Sequence, residues 1–123
     1  MKRKFWMINL IMVLMPVVAL YAQDEREVMT RKLVNNMAAK DFEAVQADFS
    51  QSLKEQLTPQ MIGQVWSSVI TNIGEYDSIT SITEQTVQGY KVILARCKFV
   101  KGNASIEAAF DDKNKVAGLH IKP

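Results

Sequence analysis

The apolar residues change period at Gly74, and that change narrows the chain to one fold class. Before it, Met61, Ile62, Val65, Trp66, Val69, Ile70 and Ile73 recur at helical spacing. Thr58 suits an N-cap, and Pro59 suits the first helical position, where its missing N–H costs nothing. Gly74 follows the last periodic residue, as a left-handed C-terminal cap would. At about 100° per residue these side chains cover roughly half the circumference, more than a helix on one surface needs. The helix is therefore predicted to pack against a sheet and against other helices together.

Beyond Gly74 the pattern becomes alternating. Ile79–Gln88, Tyr90–Val100, Asn103–Asp111 and Val116–Lys122 read as strands, separated by Gly89, Gly102-Asn103 and Asp112–Lys115. Gly102 at the first position of a two-residue turn suits type II′. That turn sets Ala95, Cys97 and Phe99 opposite Phe110, Ala108 and Ile106. A four-residue turn at 112–115 adds Ala117, Leu119 and Ile121 to the same face, so both turns predict one apolar surface. The opposite face carries Val92, Leu94, Arg96, Lys98, Glu107, Ala109 and His120, with Lys98, Glu107 and His120 in a cross-strand row. Helices first and an antiparallel meander after them make an α+β fold.

Upstream, Asp24–Ala39 reads as a helix with Val28, Met29, Leu33 and Met37 on one side. Asp41 can cap a shorter helix that turns Phe42, Val45 and Phe49 inward. Ser50–Leu57 fits either a continuation or a polar turn.

At the N-terminus, Lys2, Arg3 and Lys4 precede the uncharged, mostly apolar run Phe5–Leu20, and Ala19–Ala22 resembles a small-residue cleavage site. We read residues 1–22 as a signal peptide, residues 23–123 as one domain, and the destination as periplasmic or extracellular. An uncleaved anchor is disfavoured because the run is shorter than the roughly 20 residues a spanning helix needs and contains Pro16. The whole chain has 15 Lys+Arg against 13 Asp+Glu; without the three leader bases the count is 12 against 13, about −1. That balance offers no electrostatic case for nucleic acid or an acidic membrane as partner. Cys97 stands alone, so no internal disulfide can form.

Asp41-Phe42, Phe49, Leu57-Thr58-Pro59, Trp66, Gly74 and the stretch Gly118–Pro123, in that order, resemble a bacterial domain of unknown function, number 3887. That domain is similar to the nuclear transport factor two-like (ketosteroid isomerase-like) superfamily. The resemblance implies a curved sheet wrapped around helices into a cone of the nuclear transport factor two-like or cystatin-like kind. It also implies a frequent ligand cavity and dimerisation through the outer sheet face. In the family the domain often precedes a secreted hydrolase. No Gly-x-Ser-x-Gly elbow occurs in this sequence, so hydrolase activity does not carry over.

Acid–base chemistry inside such a cone needs a base of shifted pKa beside a donor. The predicted interior is Phe42, Phe49, Met61, Val65, Trp66, Val69, Ile93, Ala95, Cys97, Phe99, Ile106, Ala108, Phe110, Leu119 and Ile121, with no carboxylate and no histidine. His120 alternates with Leu119 and Ile121 and so points outward. Cys97 faces inward with no histidine on its face. Asp111 and Asp112 lack the further ligands of a metal loop. The expectation is a domain without catalysis, cofactor or metal. Its role is to bind a small apolar ligand through Trp66, Phe42, Phe49, Met61, Phe99, Phe110 and Tyr76, or to bind a partner. The partner surface is Val92, Leu94, Arg96, Glu107 and His120, with a homodimer as one use of it; the alternative is a structural, dimerising accessory subunit with a full interior, serving a secreted hydrolase-type partner. An isomerase- or dehydratase-like enzyme is disfavoured.

Overall fold

Gly74 ends the helical half of the molecule with φ 86° and ψ −176°, a backbone conformation that side chains rarely adopt. The structure, a computed structural model, describes residues 25–123, so the expected signal segment lies outside the described residues. Helix α1 covers residues 25–38, followed by α2 (Phe42–Ala47), α3 (Gln51–Gln56) and α4 (Pro59–Ile73). Strands β1 (Tyr76–Val87), β2 (Tyr90–Phe99), β3 (Gly102–Phe110) and β4 (Val116–Lys122) form an open antiparallel sheet in that order. The fold is α+β, helices first.

Helices α2, α3 and α4 each start on a side-chain cap, two of them at the residues expected from sequence. The side chains of Asp41, Ser50 and Thr58 accept hydrogen bonds from the amides of Ala44, Leu53 and Met61. Ser50–Leu57 is neither a continuation of α2 nor a polar turn: Ser50 caps a separate helix, which places Leu53 in the core. Phe49 is not helical: it bridges Val116 in parallel, and the amides of Ser50 and Val116 donate to the carbonyls of Val116 and Asp48.

Two predicted stripes are corrected. On α1 the buried residues are Thr30, Leu33, Val34 and Met37, while Val28 is exposed. The helix is rotated so that Thr30 goes in, and its hydroxyl is satisfied by the Arg26 carbonyl at 2.8 Å. On α4 only Ile62 and Trp66 are fully buried, and Met61 and Val65 remain 44% and 46% exposed. Helix α2 reaches α4 at Gly63, where a Cβ would come within 3.1 Å of the Phe42 ring. That contact covers one flank of the stripe and leaves the flank of Met61 and Val65 open.

The β2–β3 register is also corrected. The turn is Val100-Lys101, with Phe99 opposite Gly102, so Cys97 meets Ala104 and not Ala108. Its position follows from α4: the Lys101 amide donates to the Ile73 carbonyl at 2.7 Å, and the Val100 amide to Glu75 at 2.9 Å. Gly102 serves as a close approach, since a Cβ there would lie 3.1 Å from Ile73. Moving the turn by two residues moves every partner by four, an even number, so each side chain keeps its face. Ile93, Ala95, Cys97, Phe99, Ile106, Ala108 and Phe110 are all buried as expected. Between β3 and β4 the predicted register holds from Ser105↔Lys122 to Ala109↔Gly118. A bulge then pairs Phe110 with Val116, so Val116 is buried and Ala117 is not.

The burial of Cys97 has a direct test. The side chain is 1% exposed, and burial pushes the thiol up from 9.0 to about 11. Its Sγ faces the Ala95 carbonyl at 3.7 Å. In native buffer near neutral pH the thiol should resist a maleimide until denaturant is added, because the thiolate is the reactive form. Rapid native labelling would show that β2 does not turn this residue inward.

Candidate functional site

Two groups of predicted residues have distinct surroundings. The first is interior. Trp66 on α4 meets Phe99 on β2 and Tyr76 on β1, with ring centroids 5.6 and 6.3 Å away, and Tyr76 stands edge-on to Phe99 at 5.8 Å. Phe99 and Tyr76 are cross-strand neighbours, and Trp66 comes down on them from the helix. These contacts are of the tilted and edge-to-face kind that aromatic quadrupoles favour. The phenol of Tyr76 is raised above its ordinary value, first by burial and then by nearby Cys97 and Asp77. Trp66 is 1% exposed, and its indole N–H has no hydrogen-bond acceptor among the described residues.

The other proposed ligand contacts do not gather around this cluster as one pocket. Phe49 and Phe110 are buried, Phe42 is half-buried against Gly63, and Met61 faces outward. Beneath α4 lies an apolar recess of about 70 Å³, lined by Met37, Leu57, Ile62, Val65, Leu119 and Ile121. Pockets for small molecules run to about 300–1,000 Å³; this recess has roughly the room of two waters.

The second group is the outer face of the sheet. Val92 and Leu94 on β2 are half-buried, as are Glu107 and Ala109 on β3, while Arg96 and His120 are exposed. The helices pack on the opposite face with Ile93, Ala95 and Ile106. The expected row of Lys98, Glu107 and His120 is corrected by the register: Glu107 lies opposite Leu94 and His120, and Lys98 lies opposite Asn103. The ion pair of Glu107 is instead with Lys122, Nζ to Oε1 at 3.1 Å. Residues not singled out from sequence complete this surface. Gln85, Val87, Gln88 and Tyr90 join Val92, Glu107, Ala109 and His120 around an open concavity of about 300 Å³. Its floor is low because Ala109 and Gly118 face each other across β3 and β4. Tyr90 shares the parity of Val92 and Leu94, so alternation alone could have marked it.

Among the described residues no group of three or more His, Cys, Asp or Glu side chains could hold a metal ion. The acidic turn is occupied by its own backbone: Asp111 Oδ1 accepts from the amides of Lys113 and Lys115, both at 2.9 Å.

Comparison with known proteins adds a family and one relative. The chain is 26% identical over 89 residues to a protein named Esterase EstD from Thermotoga maritima. The match takes in 72% of this chain but 22% of that protein, so the chain spans about a fifth of its relative's length. No solved structure matches the chain. The family described as "Protein of unknown function (DUF3887)" matches residues 30–119, which takes in α2 to α4 and β1 to β3 whole, most of α1 and the first half of β4. The chain belongs to the DUF3887 family.

Proposed function

We propose that this chain is an exported, non-enzymatic binding domain that engages another protein through the outer face of its sheet. One observation carries the reading: Val92 and Leu94 sit mid-sheet on a face that none of the described helices covers. Apolar side chains on an open sheet face gain from a second surface. Ala109 and Gly118 keep the floor low enough for a partner side chain to enter between Tyr90 and His120. The interior supplies less. Its aromatic residues pack against one another, the apolar recess is small, and Cys97 is a protonated, buried thiol. The basic n-region and apolar run ahead of Gln23 support export.

The partner is a second copy of this chain or a hydrolase-type protein. The esterase relative supports the second, since there a stretch like this one belongs to a much longer polypeptide. Sedimentation of the exported protein at micromolar concentrations should show a dimer, and Leu94→Glu should return it to monomer without unfolding it. A wild-type monomer that binds no hydrolase-type partner would sink the reading. If, in addition, fatty-acid-like compounds shifted Trp66 emission, a small apolar ligand would take the partner's place.

A further inference from the structure

A second surface lies on the other side of the sheet, at the free edge of β4. Helix α4 has no charged residue from Pro59 to Ile73, although much of it is exposed. Protein contact surfaces are depleted in charge at their centres in this way, whereas solvated helix faces usually carry it. Its exposed Val65 joins Leu119 and Ile121 around the 70 Å³ recess. Further along, Val69, Ile73, Ala104, Ile121 and Pro123 line a second, mainly apolar recess of about 140 Å³ that Ser68 and Asn72 rim. Ile121 belongs to both recesses, so one apolar groove follows α4 beside β4.

The strand bordering that groove is unfinished. β4 is the last strand of the sheet. Its start is covered by the Phe49 bridge and by α3, which packs against β4, but no described backbone pairs with the strand beyond Val116 on that side. Among the described residues, 117–122 make no backbone hydrogen bond beyond those to β3. Unpaired edges template the addition of another strand.

We propose that β4 and the α4 groove take an extended peptide segment as a fifth strand, with alternating apolar and acidic side chains. The apolar side chains would lie beside Leu119 and Ile121 and cover Met61 and Val65. The alternate ones would lie beside His120 and Lys122 on the outer face. Charge selects the acids: residues 113–123 hold Lys113, Lys115, His120 and Lys122 and no carboxylate side chain, and Glu107, which pairs with Lys122 at 3.1 Å, offsets only part of that charge. Opposite charges across adjacent strands stabilise the pairing, and like charges oppose it.

The test uses the exported protein and capped heptapeptides that alternate valine with glutamate, valine with lysine, or carry a central proline. The valine–glutamate peptide should bind about tenfold more tightly than the valine–lysine one. It should also slow exchange of the amides of residues 117–122. The proline peptide should bind weakly, because a strand cannot add where an N–H is missing. Val65→Asp, at an exposed site, should weaken binding with the fold intact, and Lys122→Glu should reverse the charge preference. Leu94→Glu should leave binding unchanged, which separates this edge from the outer face. Absence of binding at millimolar peptide would overturn the proposal. So would equal binding of both charge forms, or binding without amide protection on β4. Assembly of the protein through β1 of one copy on β4 of the next would overturn it too, since the occupant would then be another copy.

Discussion

Replacing Trp66 with alanine will destabilise the domain by about 3–5 kcal/mol, the usual cost of emptying a buried aromatic site. The side chain is 1% exposed and rests on Phe99 and Tyr76, so two other rings lose a face at the same time. Folded domains are stable by about 5–15 kcal/mol, so this one change removes a large share. Trp66→Phe will cost much less. It keeps a ring against Phe99, and it removes the indole N–H that is buried without an acceptor. Leaving such a group unpaired costs about 1–3 kcal/mol, which offsets part of the lost volume. Urea unfolding midpoints of the three proteins test the ordering. Equal losses for phenylalanine and alanine would mean that the N–H is satisfied and the indole shape is what matters.

The second large effect is expected at Gly74. Alanine there will cost at least about 2 kcal/mol, from a backbone conformation that costs a side chain about 1–3 kcal/mol and from a contact. A Cβ at Gly74 would lie 3.0 Å from the Val100 Cβ and 3.4 Å from the Lys101 amide nitrogen. Those atoms belong to the β2–β3 turn that is hydrogen-bonded to Ile73 and Glu75, so the turn cannot move away freely. Gly89→Ala is the control: its φ is +85°, but nothing lies within 4 Å of the added atom. The loss at Gly74, read from thermal or urea unfolding, should exceed that at Gly89, because the turn contact and the ψ of −176° both add to it. A loss at Gly74 no greater than at Gly89 would show that the turn yields.

Much of the architecture was legible because its signals are local. Thr58, Pro59 and Gly74 bound α4 through backbone chemistry, and the structure places them at cap, first turn and C-cap. Side-chain parity on β2 and β3 was legible too. The candidate surfaces were readable only in part. Val92, Leu94, Glu107 and His120 share the outer face as alternation implied, but which of them are neighbours depended on the turn. Met61 was assigned inside because periodicity reports an apolar stripe, not what covers it.

By itself, then, the sequence determined the order of the elements other than α3, the caps of α2 and α4 and the face of each β2 and β3 side chain, since capping and alternation act within a few residues. The tertiary structure decided the rest. Gly102-Asn103 has good turn chemistry, yet the turn forms at Val100-Lys101, where two amides meet the carbonyls of Ile73 and Glu75. Hydrogen bonds between segments distant along the chain outweighed a local turn preference there. Phe42 settles on Gly63, and that contact determines which flank of α4 is covered and which is left beside β4. No spacing rule contains such a contact, because it exists only once α2 has packed against α4.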